Sequence, residues 1–313
     1  MKKLFKYLGY FLFTLFIGSS AIMIAIAQKD IPREQLKSKY AKNPSQFMPL
    51  MGMQVHYRDE GNKLDSTPIL LIHGTSSSLN TWDSLISYLP SNKRIIRLDM
   101  PAFGLTGPSP ENKYSYKFYS DFLNAFLNQL EVKHSIIAGN SLGGGIAWHF
   151  ALDYPHRVSQ LILIDASGYP KKDEKGSLGF KIASIPIVNN ILLFVTPRSL
   201  VKKSLETVFT DQSMVTEERI TRYHELLLVE GNRKAALSIF KNGFQQETER
   251  IKNIQQPTLI IFGEDDQLIN SNNAYLFEKD IKGSKSVIMK NIGHVPMEEA
   301  PKQTAIIINE FIK

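Results

Sequence analysis

Short apolar runs typical of β-strands alternate with helix-like stretches along most of this 313-residue chain. Consecutive parallel strands need a long crossover, usually a helix, so the alternation predicts a mainly parallel sheet with helices on both faces. Several runs are apolar throughout, which is typical of strands buried on both sides. We predict an eight-stranded sheet that opens with a hairpin strand at 47–50, followed by strands at 54–59, 68–72, 95–99, 135–138, 161–164, 258–262 and 286–289.

The alternation stops between residues 169 and 251, where successive strands lie much farther apart than elsewhere. A structureless loop of that length is uncommon in a compact domain, and helix-like apolar spacing recurs at 191–194, 205–209, 220–229 and 235–240. We interpret 169–251 as an inserted helical cap, with 46–168 and 252–313 forming the core. The alternative is a longer series of ordinary crossover helices.

The N-terminal stretch 7–28 contains 22 residues without a charge, most of them Leu, Phe, Ile and Ala. A helix of that length matches the hydrocarbon thickness of a bilayer, about 30 Å. We therefore predict a single-pass membrane anchor within 1–28, a polar linker at 29–45 and the rest of the chain on the extracytoplasmic side. Two alternatives remain: a signal peptide cleaved near Ala27, giving a secreted or periplasmic protein, and a buried helix.

The net charge of +7 is concentrated at the N-terminus. Residues 1–39 hold seven basic and two acidic side chains, whereas the remaining 274 residues hold 30 basic and 28 acidic ones. Because the body has no basic stripe, we expect no nucleic-acid partner. The chain has no cysteine, which excludes disulfides, a thiolate nucleophile and cysteine-ligated metals.

A tight turn carries the most informative motif, Gly139-Asn140-Ser141-Leu142-Gly143. It joins the predicted strand 135–138 to a predicted helix at 142–154. Such a turn forces strained dihedral angles on the serine and leaves its hydroxyl exposed. The helix N-terminus behind it offers free N–H groups where an oxyanion would form. Ser141 is therefore the predicted nucleophile.

A serine nucleophile needs a base, and the base needs an acid to hold its tautomer. Of the seven histidines, His294 is the one in a loop at the carboxyl end of the predicted sheet, where ligand sites of such sheets lie. Asp266, at the end of the preceding strand, is the best candidate for the acid. Asp265, Glu264 and, after an earlier strand, Asp165 are the alternatives.

Five segments together resemble the α/β-hydrolase superfamily, and the resemblance covers most of 47–313. The order serine, aspartate, histidine is the order of its catalytic triad. The resemblance implies an oxyanion hole made by the backbone N–H groups of Leu142 and Thr75, with His73 shaping a loop. The segments are His73-Gly74, 99–104, 139–143, 263–266 and Gly293-His294.

Further residues narrow this resemblance: Asn140, Gly143-Gly144-Gly145, Asp165-Ala166-Ser167-Gly168 and the segment 293–300. In these residues the chain is similar to bacterial membrane-associated or exported lipases and esterases. This implies a serine carboxylic-ester hydrolase that acts on a small-molecule or lipid ester and needs neither a metal nor an organic cofactor. One alternative is a carbon–carbon bond hydrolase of ring-cleavage dienoates, although such enzymes typically carry a tryptophan after the catalytic histidine. Others are an amidase, peptidase or perhydrolase, and a non-catalytic, membrane-tethered binding module, which predicts a broken triad.

Overall fold

The computed structural model describes residues 5–7, 10–11, 13–14, 17–18, 26–170, 185, 188–242, 244–245 and 247–313. These residues form one eight-stranded sheet in the order β1-β2-β4-β3-β5-β6-β7-β8. The first two pairs, β1 with β2 and β2 with β4, are antiparallel and every later pair is parallel, which confirms the predicted fold class. The strands are β1 (Gln46–Leu50), β2 (Met53–Gly61), β3 (Ile69–Ile72), β4 (Arg94–Leu98), β5 (Ser135–Asn140), β6 (Val158–Ile164), β7 (Thr258–Gly263) and β8 (Lys285–Met289).

Helices cover both faces of the sheet because the central strands present apolar side chains on each side. In β3, Leu70 and Ile72 face one core, whereas Ile69 and Leu71 face the other. The described helices are α1 (Arg33–Tyr40), α2 (Asp83–Ile86), α3 (Tyr116–Gln129), α4 (Leu142–Asp153), α5 (Val188–Ile191), α6 (Arg198–Val208), α7 (Glu217–Leu227), α8 (Asn232–Asn242), α9 (Asn273–Asp280), α10 (Pro296–Glu299) and α11 (Pro301–Phe311). Short 3₁₀ segments occur at Leu79–Trp82, Pro155–Arg157, Gln212–Met214 and Thr248–Asn253.

Helices α5 to α8 lie between β6 and β7, within the segment predicted as a cap. We call residues 188–242 the helical insert. Its apolar side chains Val201, Leu205 and Phe209 belong to the same buried cluster as Val295, which follows His294. The insert therefore packs directly against the loop after β8. The predicted cap also includes 171–184, which lie outside the described residues.

The N-terminal prediction needs correction. No helix formed by the described residues has both the length and the apolar composition needed to span a bilayer. A span requires about 20 consecutive helical, apolar residues. The predicted single-pass anchor, and the extracytoplasmic placement derived from it, are therefore wrong, and the structure gives no support for a membrane partner. Much of the stretch 7–28 lies outside the described residues.

The stretch predicted as a linker, 29–45, packs against the body. It contains α1, whose Leu36 and Tyr40 are buried in a cluster with Leu226 and Val229. The backbone N–H of Ile31 also donates to the carbonyl of Leu228 over 2.7 Å. These contacts hold the stretch 29–45 against the end of α7.

Candidate active site

Ser141 lies at the turn between β5 and α4, with backbone angles of φ 57° and ψ −119°. A non-glycine residue at positive φ is strained, and the turn persists because close packing surrounds it. A Cβ atom at Gly139 would lie 2.2 Å from the carbonyl oxygen of Gly143, and one at Gly143 would lie 2.3 Å from that of Ile72. Both flanking positions therefore require glycine, as the predicted strand-to-helix elbow demands.

His294 and Asp266 are hydrogen-bonded, with 2.7 Å between Nδ1 of the histidine and Oδ2 of the aspartate. His294 follows β8 and Asp266 follows β7, so the carboxyl edge of the sheet brings them together. The other oxygen of Asp266 accepts the N–H groups of Leu268, at 2.7 Å, and Ile269, at 3.1 Å. Because the partner is a carboxylate, we assign the proton to Nδ1, which leaves Nε2 able to accept one.

Asn140 connects the elbow to the loop after β8 that carries His294, which we call the histidine loop. Its Nδ2 atom donates to the carbonyl oxygens of Ile164, over 3.2 Å, and His294, over 3.0 Å. The backbone N–H of His294 donates in turn to the carbonyl of Val208 in the helical insert, over 2.9 Å. The histidine backbone is thus fixed on one side by the residue before Ser141 and on the other by the insert.

The two predicted oxyanion donors flank this turn. Leu142 is the first residue of α4, so its N–H has no acceptor within the helix. Thr75 follows Gly74, where an added Cβ would lie 3.0 Å from the Cβ of Ser141. The loop that carries Thr75 therefore passes directly over the serine, and it also lines the cavity described below.

Both ring nitrogens of His73 are hydrogen-bonded to backbone groups. Its Nδ1 atom lies 2.8 Å from the carbonyl of Gly74, and its Nε2 atom lies 3.0 Å from the backbone N–H of Met100. Burial lowers the pKa of His73, so the ring is neutral with the proton on Nδ1. Both nitrogens are used by the backbone, which agrees with the predicted loop-shaping role and excludes this ring as the base.

A second acidic side chain, Asp165, lies beside Asp266 and His294. One ligand-type atom from each of these three residues lies within 4.8 Å of the other two. We call these three residues the hydrogen-bonded cluster, because His294 Nδ1 is hydrogen-bonded to Asp266 within it. Asp265 and Glu264, the other predicted alternatives for the acid, are exposed on the turn after β7.

A buried carboxylate that the sequence analysis did not single out is Glu298, four residues after His294. It accepts hydrogen bonds from Thr81, at 2.5 Å, and from Tyr223, at 2.9 Å. The sequence contained no local signal for it, because Glu298-Glu299 on a short helix is equally typical of a solvated surface. Its role is visible only in the long-range contacts.

An apolar cavity opens beside Thr75 and extends into the helical insert. Leu268, two residues after Asp266, lines the cavity from the core side, and its backbone N–H donates to Asp266 at the edge of the hydrogen-bonded cluster. The insert supplies most of the remaining lining, including Leu200, Val201, Leu205, Val208, Leu237 and Phe240. The cavity therefore provides an apolar environment next to the loop that carries Thr75 over Ser141.

The family described as "alpha/beta hydrolase fold" matches residues 67–181 of this chain. The match includes strands β3 to β6 and the strained elbow at Ser141. The chain belongs to the α/β-hydrolase superfamily. This membership was predicted from the five sequence segments, and the sheet order and elbow geometry agree with it.

Three known proteins illustrate the similarity. The uncharacterized hydrolase YugF of Bacillus subtilis strain 168 is 28% identical over 274 residues, covering 87% of this chain and 99% of that protein. Monoacylglycerol lipase abhd6-B of Xenopus laevis is 26% identical over 290 residues, covering 84% and 83%. A mutant of CumD, a meta-cleavage product hydrolase from Pseudomonas fluorescens IP01, superposes with a TM-score of 0.70 at 25% identity, covering 85% and 97%. The family match and these similarities support a hydrolase of the α/β-hydrolase superfamily.

Proposed function

We propose that this α/β-hydrolase cleaves carboxylic esters through a triad of Ser141, His294 and Asp266. The observation that carries the proposal is the 2.7 Å hydrogen bond between His294 Nδ1 and Asp266 Oδ2, located beside a strained serine elbow. That hydrogen bond fixes the tautomer in which Nε2 accepts the serine proton. A silent hydrolase fold, acting only as a binding module, would have no need to retain this pair.

In this mechanism, the Ser141 oxygen attacks the acyl carbonyl while His294 Nε2 takes the hydroxyl proton. The negative carbonyl oxygen is stabilised by the N–H groups of Leu142 and Thr75. His294 then donates its proton to the departing alcohol, and Asp266 stabilises the imidazolium in between. A water molecule, activated by the same histidine, attacks the acyl-enzyme and releases the acid. The protein's own side chains supply every proton transfer.

The apolar cavity indicates the type of substrate. Its lining is predominantly aliphatic, and Thr75 lies at its border with the reaction centre. We propose that the helical insert acts as a cap over an apolar acyl chain, which gains binding free energy from burial. One relative is named as a monoacylglycerol lipase, which agrees with an apolar ester of this kind.

Carbon–carbon bond cleavage of ring-cleavage dienoates is the second candidate, favoured by the similarity to a meta-cleavage product hydrolase. Asn140 beside the serine is shared with that group. The residue after His294 is Val295, whereas those enzymes typically carry tryptophan there. The ester reaction therefore has the stronger support.

A panel of p-nitrophenyl esters from acetyl to palmitoyl, together with a ring-cleavage dienoate, tests the proposal. Replacing Ser141 by alanine should lower kcat on the best ester by about a thousandfold or more while preserving the circular dichroism spectrum. Ser87→Ala, at an exposed serine, is the matched control and should retain full activity. Hydrolysis of the dienoate alone would favour the second candidate, and activity that survives Ser141→Ala would refute the triad.

A further inference from the structure

We propose that Asp165 is a protonated carboxylic acid that donates its hydrogen to Asp266 and thereby positions the carboxylate that holds His294. The inference rests on the triad proposed above, since Asp266 is the acid in both. Asp165 touches neither the substrate nor the histidine proton in this view. It is a positioning residue that acts through Asp266.

The location of Asp165 suits this role. It follows β6 immediately, its side chain is fully buried, and its backbone adopts a φ of 44°. Positive φ is strained for a residue with a Cβ and persists where the surroundings enforce it. Its backbone N–H donates to the carbonyl of Ile261 in β7, over 2.8 Å, and its Oδ1 atom accepts the N–H of Gly263, over 2.9 Å. The backbone of β7 therefore fixes both ends of the residue.

The second carboxyl oxygen of Asp165 has no donor in the part of the chain that the structure describes. Among the described residues, Oδ2 is buried without a protein hydrogen-bond donor, yet the carboxyl group belongs to the cluster that includes Asp266. A buried oxygen in that state is costly as a carboxylate and satisfied as a hydroxyl that donates to a neighbouring carboxylate. A hydrogen on Oδ2 that is donated to Asp266 would satisfy this oxygen.

The charges around the cluster lead to the same assignment. The carboxyl groups of Asp165 and Asp266 lie together with the His294 ring, and the charge of Glu299 also raises the pKa of Asp165. Asp266 accepts two backbone N–H groups and the histidine N–H, which stabilises a negative charge. Burial raises the pKa of Asp165 well above its usual range, and the charge of Asp266 and a hydrogen bond with it act in the same direction.

Two substitutions of Asp165 test whether its side chain acts as a hydrogen-bond donor or as a negative charge. In Asp165→Asn the amide keeps a donor toward Asp266 and an acceptor toward Gly263, so kcat should stay within about threefold and the pH profile should not move. In Asp165→Ala the donor is lost, so kcat should fall about tenfold. Asp266 then attracts the imidazolium more strongly, and the acidic limb of the profile should move up by about half a pH unit.

Other outcomes of the pH profiles overturn the proposal. If Asp165 were ionised, both variants would remove a negative charge near His294 and move the acidic limb to lower pH. If Asp165 only filled space, the alanine variant would lose stability without any change in its pH profile. Should the alanine variant fail to fold, the asparagine variant and the measurement below still decide.

Infrared difference spectroscopy detects the proton without using activity. At about pH 8, where free carboxyl groups are ionised, the wild-type protein should show the C=O stretch of a protonated carboxylic acid, and Asp165→Asn should lack it. The exposed neighbour variant Asp265→Asn should retain it. Absence of this band from the wild type would refute the protonated aspartate. Because this readout does not depend on turnover, a failure of the ester-hydrolase proposal would leave it intact and interpretable.

Discussion

The carboxylate of Glu298 accepts a hydrogen bond from the hydroxyl of Tyr223 over 2.9 Å, although 75 residues separate them in the chain. The same carboxylate accepts from Arg219 at 3.0 Å and from Arg222 at 3.2 Å, both on α7. The Glu298 side chain is 3% exposed. Since α10, which carries it, begins two residues after His294, this ionic cluster joins the helical insert to the histidine loop.

Replacing Glu298 by alanine should destabilise the protein by about 3 kcal/mol, because it leaves two largely buried guanidinium groups without their shared carboxylate. Urea unfolding followed by tryptophan fluorescence measures the change. Glu34→Ala provides the control, since the pair of Glu34 with Lys37 is a surface contact whose glutamate side chain is 75% exposed. That variant should change stability by less than about 0.5 kcal/mol. Equal effects of both substitutions would contradict the buried cluster.

Replacing Asn140 by alanine should lower kcat about tenfold with little change in KM. The substitution removes the two hydrogen bonds that connect the elbow to Ile164 and to the carbonyl of His294, while leaving the cavity lining untouched. Steady-state kinetics on the best p-nitrophenyl ester measure the effect. Asn309→Ala removes a comparable amide-to-carbonyl bond at the surface, to Tyr88, and should leave kcat unchanged. A KM effect without a kcat effect would argue against a positioning role for Asn140.

Much of the sheet could be predicted because its information is local. The apolar runs and the helix-like stretches between them reflect burial on both faces, so the strand at 135–138 was found within two residues of its observed end at Asn140. The strand-to-helix elbow could also be predicted from one short segment, because the close backbone approach there requires glycine at positions 139 and 143. The proximity of Asp266 and His294 could be predicted because the carboxyl edge of a parallel sheet collects the residues that follow its strands, and the two side chains are hydrogen-bonded.

The parts that could not be predicted depend on contacts between distant segments. The burial of Glu298 depends on arginines that lie about 80 residues earlier in the chain, and sequence spacing gives no indication of them. Asp165 was considered as an alternative acid, but its contact with Asp266 depends on the register of β6 and β7. The apolar composition of 7–28 predicted a membrane span, but composition alone does not determine the length of the helices that the described residues form.

Acid should destabilise the protein through His149. Its buried ring stacks between Tyr116 and Trp148, with ring centroids 3.6 Å and 3.4 Å from its own. Burial lowers the pKa of His149 to about 4. Between about pH 6.5 and pH 4 the unfolded chain binds a proton here and the folded protein does not, so stability falls as the pH falls. The loss due to this residue should reach about 3 kcal/mol near pH 4. Urea unfolding at a series of pH values measures it.

A glutamine at position 149 tests this assignment, because its amide can still donate to the carbonyl of Gly145, which His149 Nδ1 contacts at 2.7 Å. The stability of His149→Gln should depend less on pH over that range than the stability of the wild type. His156→Gln, at an exposed histidine, should keep the wild-type slope. Parallel pH curves for the wild type and His149→Gln would show that other groups cause the acid sensitivity.

Replacing Asp165 by asparagine should stabilise the protein at neutral pH, and the gain should grow as the pH rises. The pKa of Asp165 is raised in the folded protein by burial and by Asp266, whereas in the unfolded chain it is near 3.9. Above that value the folded protein binds one proton more than the unfolded chain, so wild-type stability falls by up to about 1.4 kcal/mol per pH unit from this group until the folded pKa is passed. Asparagine binds no proton in either state, which removes this slope. Urea unfolding of both proteins from about pH 5 to pH 8 measures the difference, and Asp265→Asn should follow the wild type. A constant difference between wild type and Asp165→Asn across that range would show that Asp165 carries no proton in the folded protein.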